Sequence, residues 1–229
     1  MLGKLKRDLK LVLRTPEMDF SDKPNLNYWS LRNADIDTLN SFQTYRVDFA
    51  FPKLSGKKTL DLGSGLGQIV HKLSSKGVDV TASDYSDETI GELKARGLEA
   101  CKLDLINGDI GEAFSQFQAV TCFEVLEHLP FPERVIQAFY ASDAETFIFS
   151  VPNTGYYPYR LRLLSGRFPC QWRAQPGEHL RYWTIRDMHR WLRSLGVQSY
   201  ELVGYEGLPV FERISPNAFS MGMIVCIQK

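Results

Sequence analysis

At 229 residues the chain has room for one large α/β domain and is short for two. Its 44% apolar and 24% charged residues fall in the globular range, and 27 basic against 27 acidic side chains give no nucleic-acid signal. No apolar run approaches the roughly 18 residues of a membrane span, and the N-terminus lacks the apolar core and cleavage site of a signal peptide. The four cysteines have neither a disulfide pattern nor metal-ligand spacing, and no metal site is expected. Cytoplasm is the expected location.

Met1 to Arg14 set Leu2, Leu5, Leu9 and Val12 on one helical stripe, with Lys4, Lys6, Arg7, Lys10 and Arg14 around it. Such a basic amphipathic helix either covers the domain, the preferred reading, or makes peripheral contact with an anionic membrane. Residues 1–55 read as a helical cap and 56–229 as the main domain, with Tyr28, Trp29 and Arg46 of the cap as candidate ligand contacts.

Lys58 to Leu62 is the first predicted strand. It runs into a turn built from Asp61, Gly63, Ser64, Gly65 and Gly67, and a helix follows from about Gln68 to Lys76. Glycines at 63, 65 and 67 remove the Cβ atoms that would hold a ligand off the backbone, and the helix start offers unpaired N–H groups. Asp79 to Ser83 is the second strand, ending at Asp84, a carboxylate about 20 residues on that suits two ribose hydroxyls. Together these features describe an adenosine pocket. The spacing departs from the dinucleotide pattern G-x-G-x-x-G, and Asp61 would repel a pyrophosphate while suiting a cationic sulfonium and ammonium.

Ser86 caps a helix to about Arg96, with Gly97 after it. Strands follow at Glu99 to Leu103, Ala119 to Phe123 and Thr146 to Val151, with a helix near Pro132 to Ala141. Thr184 caps a helix to Leu195, with Asp187 placed for a capping interaction, and the last strands are Tyr200 to Val203 and Gly222 to Ile227. The fold class is α/β: a doubly wound, Rossmann-like, seven-stranded and mostly parallel sheet whose last strand runs antiparallel. Ligands in such sheets sit at the carboxyl ends of the strands. Asp61, Asp84, Asp104 and Glu124 all fall at that rim.

The acidic-x-Gly-x-Gly-x-Gly run over residues 61–67 resembles the first motif of class I S-adenosylmethionine-dependent methyltransferases. Glu124-Val-Leu-Glu127-His128-Leu resembles the fourth motif of small-molecule members, including the ubiquinone-biosynthesis O-methyltransferases, and Ser150-Val-Pro-Asn153 recurs in the same group. The resemblance implies S-adenosyl-L-methionine as cofactor and methyl transfer to a small polar or anionic acceptor at oxygen. By the same likeness Asp84 binds the ribose, Tyr85 packs on the adenine, Asp104 and Leu105 read the adenine edge, and Glu124 lies near the methionyl end. His128 is the candidate base beside the acceptor, whereas Glu127 is read as supporting the next helix.

Residues 153–183 form an aromatic, arginine-rich insertion read as a lid. Arginine favours planar recognition of carboxylate or phosphate, so Arg160, Arg162, Arg167 and Arg173 are candidates for holding an anionic or polar acceptor, while the membrane reading of the N-terminal helix would make it a lipid or lipid-linked one. His179 is a second candidate base. This stretch also resembles another group, the methionine-biosynthesis protein W (MetW) family. The likeness lies in the run Arg160 to Pro169 and in His179-Leu-x-x-x-Thr184-Ile-Arg-Asp187. That family has a methyltransferase fold but partners an acyltransferase in homoserine acetylation. The retained Glu124, Glu127 and His128 rank that reading second.

Overall fold

Strands β1 (Thr59–Leu62), β4 (Ala119–Phe123), β5 (Thr146–Pro152) and β7 (Gly222–Gln228) are buried along nearly their whole length, as strands covered on both faces must be. With β2 (Val80–Asp84), β3 (Ala100–Lys102) and β6 (Tyr200–Tyr205) they form one sheet in the order β3-β2-β1-β4-β5-β7-β6. The structure is a computed structural model that describes residues 2–14, 35–169 and 178–229. Strands β1 to β5 pair in parallel, and β7 runs antiparallel between β5 and β6. The order reverses between β1 and β4, which places the expected ligand crevice there.

Alternation along the strands fills two apolar layers. Leu60, Leu62, Phe147 and Phe149 point to one layer, shared with α5 (Ile110–Phe114), α6 (Glu133–Ala141) and α8 (Ile185–Ser194). Ala82, Ile148 and Ile224 point to the other, shared with α2 (Ser41–Leu54), α3 (Gln68–Ser75) and α4 (Asp87–Ala95). Asn40 caps α2 in a capping box with Gln43, and Ser86 and Thr184 cap α4 and α8 as their sequences predict. The β6–β7 link contains two short helices, α9 (Pro209–Ile214) and α10 (Pro216–Phe219). Neither crosses the sheet, so the return stays antiparallel.

The insertion after β5 is stitched into the sheet end. Asn153 is fully buried, and its Nδ2 donates to the carbonyls of Ser220 (2.7 Å) and Asn217 (3.2 Å) while Oδ1 accepts from Gly155 N (2.9 Å). Helix α7 (Tyr157–Leu164) follows, and α1 (Leu2–Leu13) lies against it. Tyr156 is fully buried and donates to Asp8 of α1 (2.7 Å), as does Tyr157 (2.8 Å), so these two tyrosines pack under α1. Helix α1 is turned contrary to the usual rule: Asp8 faces inward, and Leu2, Leu5, Leu9 and Leu13 face outward. Val12, expected on the leucine stripe, is half-buried. Among the described residues no helix is long and apolar enough to cross a membrane.

The Thr184 cap is separate in its hydrogen bonds from the glycine turn and the His128 cluster: Oγ1 accepts from Asp187 N and donates to Asp187 Oδ2. Thr184→Ala is expected to lower unfolding free energy by about 1 kcal/mol in chemical denaturation, with ligand affinity unchanged. A loss of affinity equal to the loss of stability would contradict this separation.

Candidate functional site

The glycine turn is organised by a buried carboxylate. Asp61 lies beside Thr121 in the parallel β1–β4 register, and its Oδ1 accepts from Thr121 Oγ1 at 2.5 Å. Its Oδ2 accepts from Ser64 Oγ at 2.7 Å, while Ser64 N donates to the carbonyl of Ser83 on β2. Burial pushes the Asp61 carboxyl up to about 6, against the pull of the two hydroxyl donors. The glycines divide their roles in a way the spacing did not predict. A Cβ on Gly63 would stand 2.7 Å from Val125 Cγ2, and one on Gly67 2.5 Å from Leu93 Cδ2 and 2.6 Å from Leu98 Cδ1. Gly63 and Gly67 therefore make room for the protein's own side chains, which corrects the view that all three clear space for a ligand. All three have positive φ, so the turn needs glycine on backbone grounds as well.

Asp84 ends β2 at the same rim and is buried; its carboxylate accepts from the backbone N–H groups of Ser86, Gly65 and Tyr85. It thus ties the glycine turn to the α4 cap, and desolvation raises its pKa. Tyr85, expected to stack on a base, is 61% exposed at the crevice edge. Asp104 closes a turn after β3, accepting from Ile106 N (2.8 Å), Asn107 N (3.1 Å) and Asn107 Nδ2 (3.0 Å), which lower its pKa. Leu105 packs on the core.

Beyond β4, Glu124 holds a left-handed backbone, φ 57°, rare for a side chain of its size. That geometry directs its carboxylate to Arg46 of α2 (3.0 Å) and Ser150 Oγ on β5 (2.8 Å). Arg46 is buried, also donates to Tyr205 Oη (2.8 Å), and is thereby joined to the rim. Arg46, a candidate ligand contact from the cap, pairs with Glu124 and so joins the cap to the sheet. Tyr28, Trp29 and Arg173 lie outside the described residues.

The turn Leu126–His128 and the far end of the insertion make a second cluster. The carbonyl of Glu127 accepts from Leu180 N (2.8 Å) and Arg181 N (3.1 Å), which brings His179 edge-to-face against His128 with ring centroids 4.8 Å apart. His128 Nδ1 is 2.5 Å from the Glu178 carbonyl; that contact requires Nδ1–H as donor, and in the neutral ring the lone pair is then on Nε2. Glu127 is 1% exposed and belongs to the site, not to the start of α6 as its sequence position suggested. Glu127 Oε2 and His179 Nδ1 are buried without a hydrogen-bond partner. Desolvation, with Glu124 nearby, raises the Glu127 pKa well above the ordinary carboxyl value, and burial lowers His179 to about 4, so both favour neutral forms. One ligand atom from each of Glu127, His128 and His179 lies within 4.8 Å of the others. Two imidazoles and a carboxylate are also donors that divalent ions accept, a grouping that separation along the chain concealed.

The insertion arginines are engaged elsewhere. Arg160 donates to the carbonyls of Gly155 and Asn217, and Arg167 to those of Leu13 and Arg14. Arg162, 3% exposed, donates to the carbonyls of Leu11, Val12, Arg14 and Phe168. These bonds fasten Arg162 and Arg167 to the end of α1 and Arg160 to the insertion and the β6–β7 link. Arg186, Arg190 and Arg193 are solvent-exposed, as expected for the outer face of α8.

The profile of a family described as a methyltransferase domain matches residues 28–202. Curated relatives include the ubiquinone biosynthesis O-methyltransferases of Dechloromonas aromatica, 27% identical over 82% of this chain and 85% of that protein, and of Methylococcus capsulatus, 28% identical over 79% of each. A SAM-dependent methyltransferase from Archaeoglobus fulgidus superposes with a TM-score of 0.63 at 14% identity, covering 88% of this chain and all of that one (100%). Magnesium protoporphyrin IX methyltransferase from Synechocystis PCC 6803, solved with bound SAH, gives 0.58 at 16%, covering 90% and 96%. These likenesses to solved structures show a shared fold.

His179 and Asp61 pull stability in opposite directions with pH. Because folded His179 titrates near 4 and an unfolded histidine near 6.5, its contribution falls as pH drops from 6.5 to 4. Asp61, raised in the folded state, gains stability as pH drops from about 6 to 4. His179→Gln is expected to remove the first effect, on the order of 2–3 kcal/mol, so denaturation midpoints of variant and wild type should diverge below pH 6.5. Parallel profiles would contradict the buried neutral imidazole.

Proposed function

The chain belongs to the methyltransferase-domain family, and on that footing we propose that it transfers a methyl group from S-adenosyl-L-methionine to a hydroxyl oxygen of a small molecule, with His128 as base. The observation that carries this reading is the adjacency of two half-sites. The glycine turn with Asp84 offers a nucleoside seat, and Val125, packed against Gly63, directly precedes the Glu127, His128 and His179 cluster. Asp84 would hold the ribose hydroxyls, Tyr85, Asp104 and Leu105 would serve the adenine, and Arg46 with Glu124 would serve the methionyl end. The sulfonium already activates the methyl, so the protein contributes placement and exclusion of water.

His128 Nε2 would take up the proton of the acceptor hydroxyl, and the cofactor, when bound, would supply a methyl group already activated by positive sulfur. The unpartnered Glu127 Oε2 and His179 Nδ1 gain a partner when a polar acceptor enters. The ubiquinone-biosynthesis relatives act at oxygen by name, which supports the choice of acceptor atom. Cys101, Cys122 and Cys226 are free thiols, in keeping with a cytoplasmic setting. The MetW-like reading, a partner protein without methyl transfer, leaves the His128 environment without a role.

S-adenosylhomocysteine should raise the melting temperature and NAD should not; Asp84→Ala should weaken that binding by at least about tenfold. His128→Ala should reduce methyl transfer by roughly 10²–10⁴ with cofactor affinity retained. Equal methyl transfer by the variant would remove His128 as base, whereas no methyl transfer by the wild type would support the partner-protein reading. Full loss on chelation, restored by a divalent ion, would reassign His128 from base to metal ligand.

A further inference from the structure

Helix α1 meets the domain through its charged side. Asp8 accepts from Tyr156 Oη (2.7 Å), Tyr157 Oη (2.8 Å) and Arg7 Nε (3.2 Å). Arg7 reaches the Glu206 carbonyl (3.0 Å), and Lys4 pairs with the Glu206 carboxylate (3.4 Å). At the other end, Arg162 and Arg167 donate to the last carbonyls of the helix, a cationic cap that suits its negative pole. The orientation is therefore fixed by directional contacts at both ends, and rotation to bury the leucines would break them all.

That orientation presents Leu2 (71% exposed), Leu9 (59%) and Leu13 (63%), together with Leu5, to the outside. On α7, against which α1 packs, Leu164 is 84% exposed, and Phe168 just beyond it 56%. Four leucines exposed along one stripe of α1, with Leu164 and Phe168 exposed on the neighbouring segment, mark an interaction surface. Lys6 and Lys10 are exposed beside the leucines, and the sole acidic residue of α1, Asp8, is turned inward.

We propose that α1 and α7 form a docking face for an anionic lipid bilayer, through which the protein reaches an acceptor dissolved in the leaflet. Leucines flanked by lysines match the acyl boundary and the phosphate layer together. A second copy of the chain is a poorer occupant, because a two-fold contact through this face would oppose lysines to lysines. Helix α7 begins just after the carboxyl end of β5, the rim that carries His128 and His179, so the bilayer would lie beside the acceptor entrance. The lipophilic acceptor rests on the methyltransferase reading; the docking itself does not.

Sedimentation of the full chain with phosphatidylcholine vesicles, alone or mixed with phosphatidylglycerol, tests this. Binding is expected only with the mixed vesicles and should weaken with salt. Lys6→Glu/Lys10→Glu and Leu5→Ser/Leu9→Ser should each reduce partitioning by roughly tenfold or more, with calorimetric heats for S-adenosylhomocysteine unchanged as the check on folding. Absence of binding to the mixed vesicles, or variants that bind as wild type, would overturn the proposal. So would a dimer in light scattering that both variants dissolve. Vesicle binding without nucleoside heat would keep the docking face and remove the methyltransferase reading.

Discussion

A carboxylate buried where β1 ends holds the crevice open. Asp61 joins three strands at the reversal of strand order: its side chain receives Thr121 of β4 and Ser64 of the turn, and its carbonyl receives the Ser83 hydroxyl of β2 (2.8 Å). Desolvating that carboxylate is unfavourable, as its raised pKa records. The return is a turn whose backbone cannot collapse into the gap between β1 and β4. With Gly63 against Val125 and Gly67 against Leu93 and Leu98, the walls of the crevice are set by packing as much as by the glycines' freedom.

The same rim is tied to the chain upstream of the sheet. Arg46 of α2 reaches Glu124, whose left-handed backbone would be unfavourable without such a partner, and Tyr205 of β6 completes the link. Tyr45 stacks on Tyr205 at 4.7 Å, and Phe42 meets it edge-on at 5.7 Å, so α2 is held by aromatic packing as well as charge. A strained residue supported from three elements is well placed to keep one geometry while a ligand exchanges.

The arginine-rich insertion follows a related logic. Arg162 is nearly buried, and a guanidinium there must find acceptors in every direction. Backbone carbonyls at the end of α1 supply them, and the helix end gains donors it would otherwise lack. The consequence reaches the surface: α1 is anchored by charge and polar groups, leaving its apolar stripe outside.

Strand placement, helix caps and the acidic rim were legible in the sequence because they depend on local rules: alternation, N-cap chemistry and glycine at positive φ. Asp61, Asp84 and Glu124 could be named from position alone, since each stands at the carboxyl end of a strand. Three things could not be read this way. The approach of His179 to His128 depends on Glu127 receiving the backbone of Leu180 and Arg181, a contact between distant segments. The use of the insertion arginines depends on where α1 ends. The facing of α1 depends on Asp8 finding Tyr156 and Tyr157. Periodicity identifies which residues share a stripe, but it contains no information about which stripe meets the protein; only the distant partners, with their charges and hydrogen bonds, decide that.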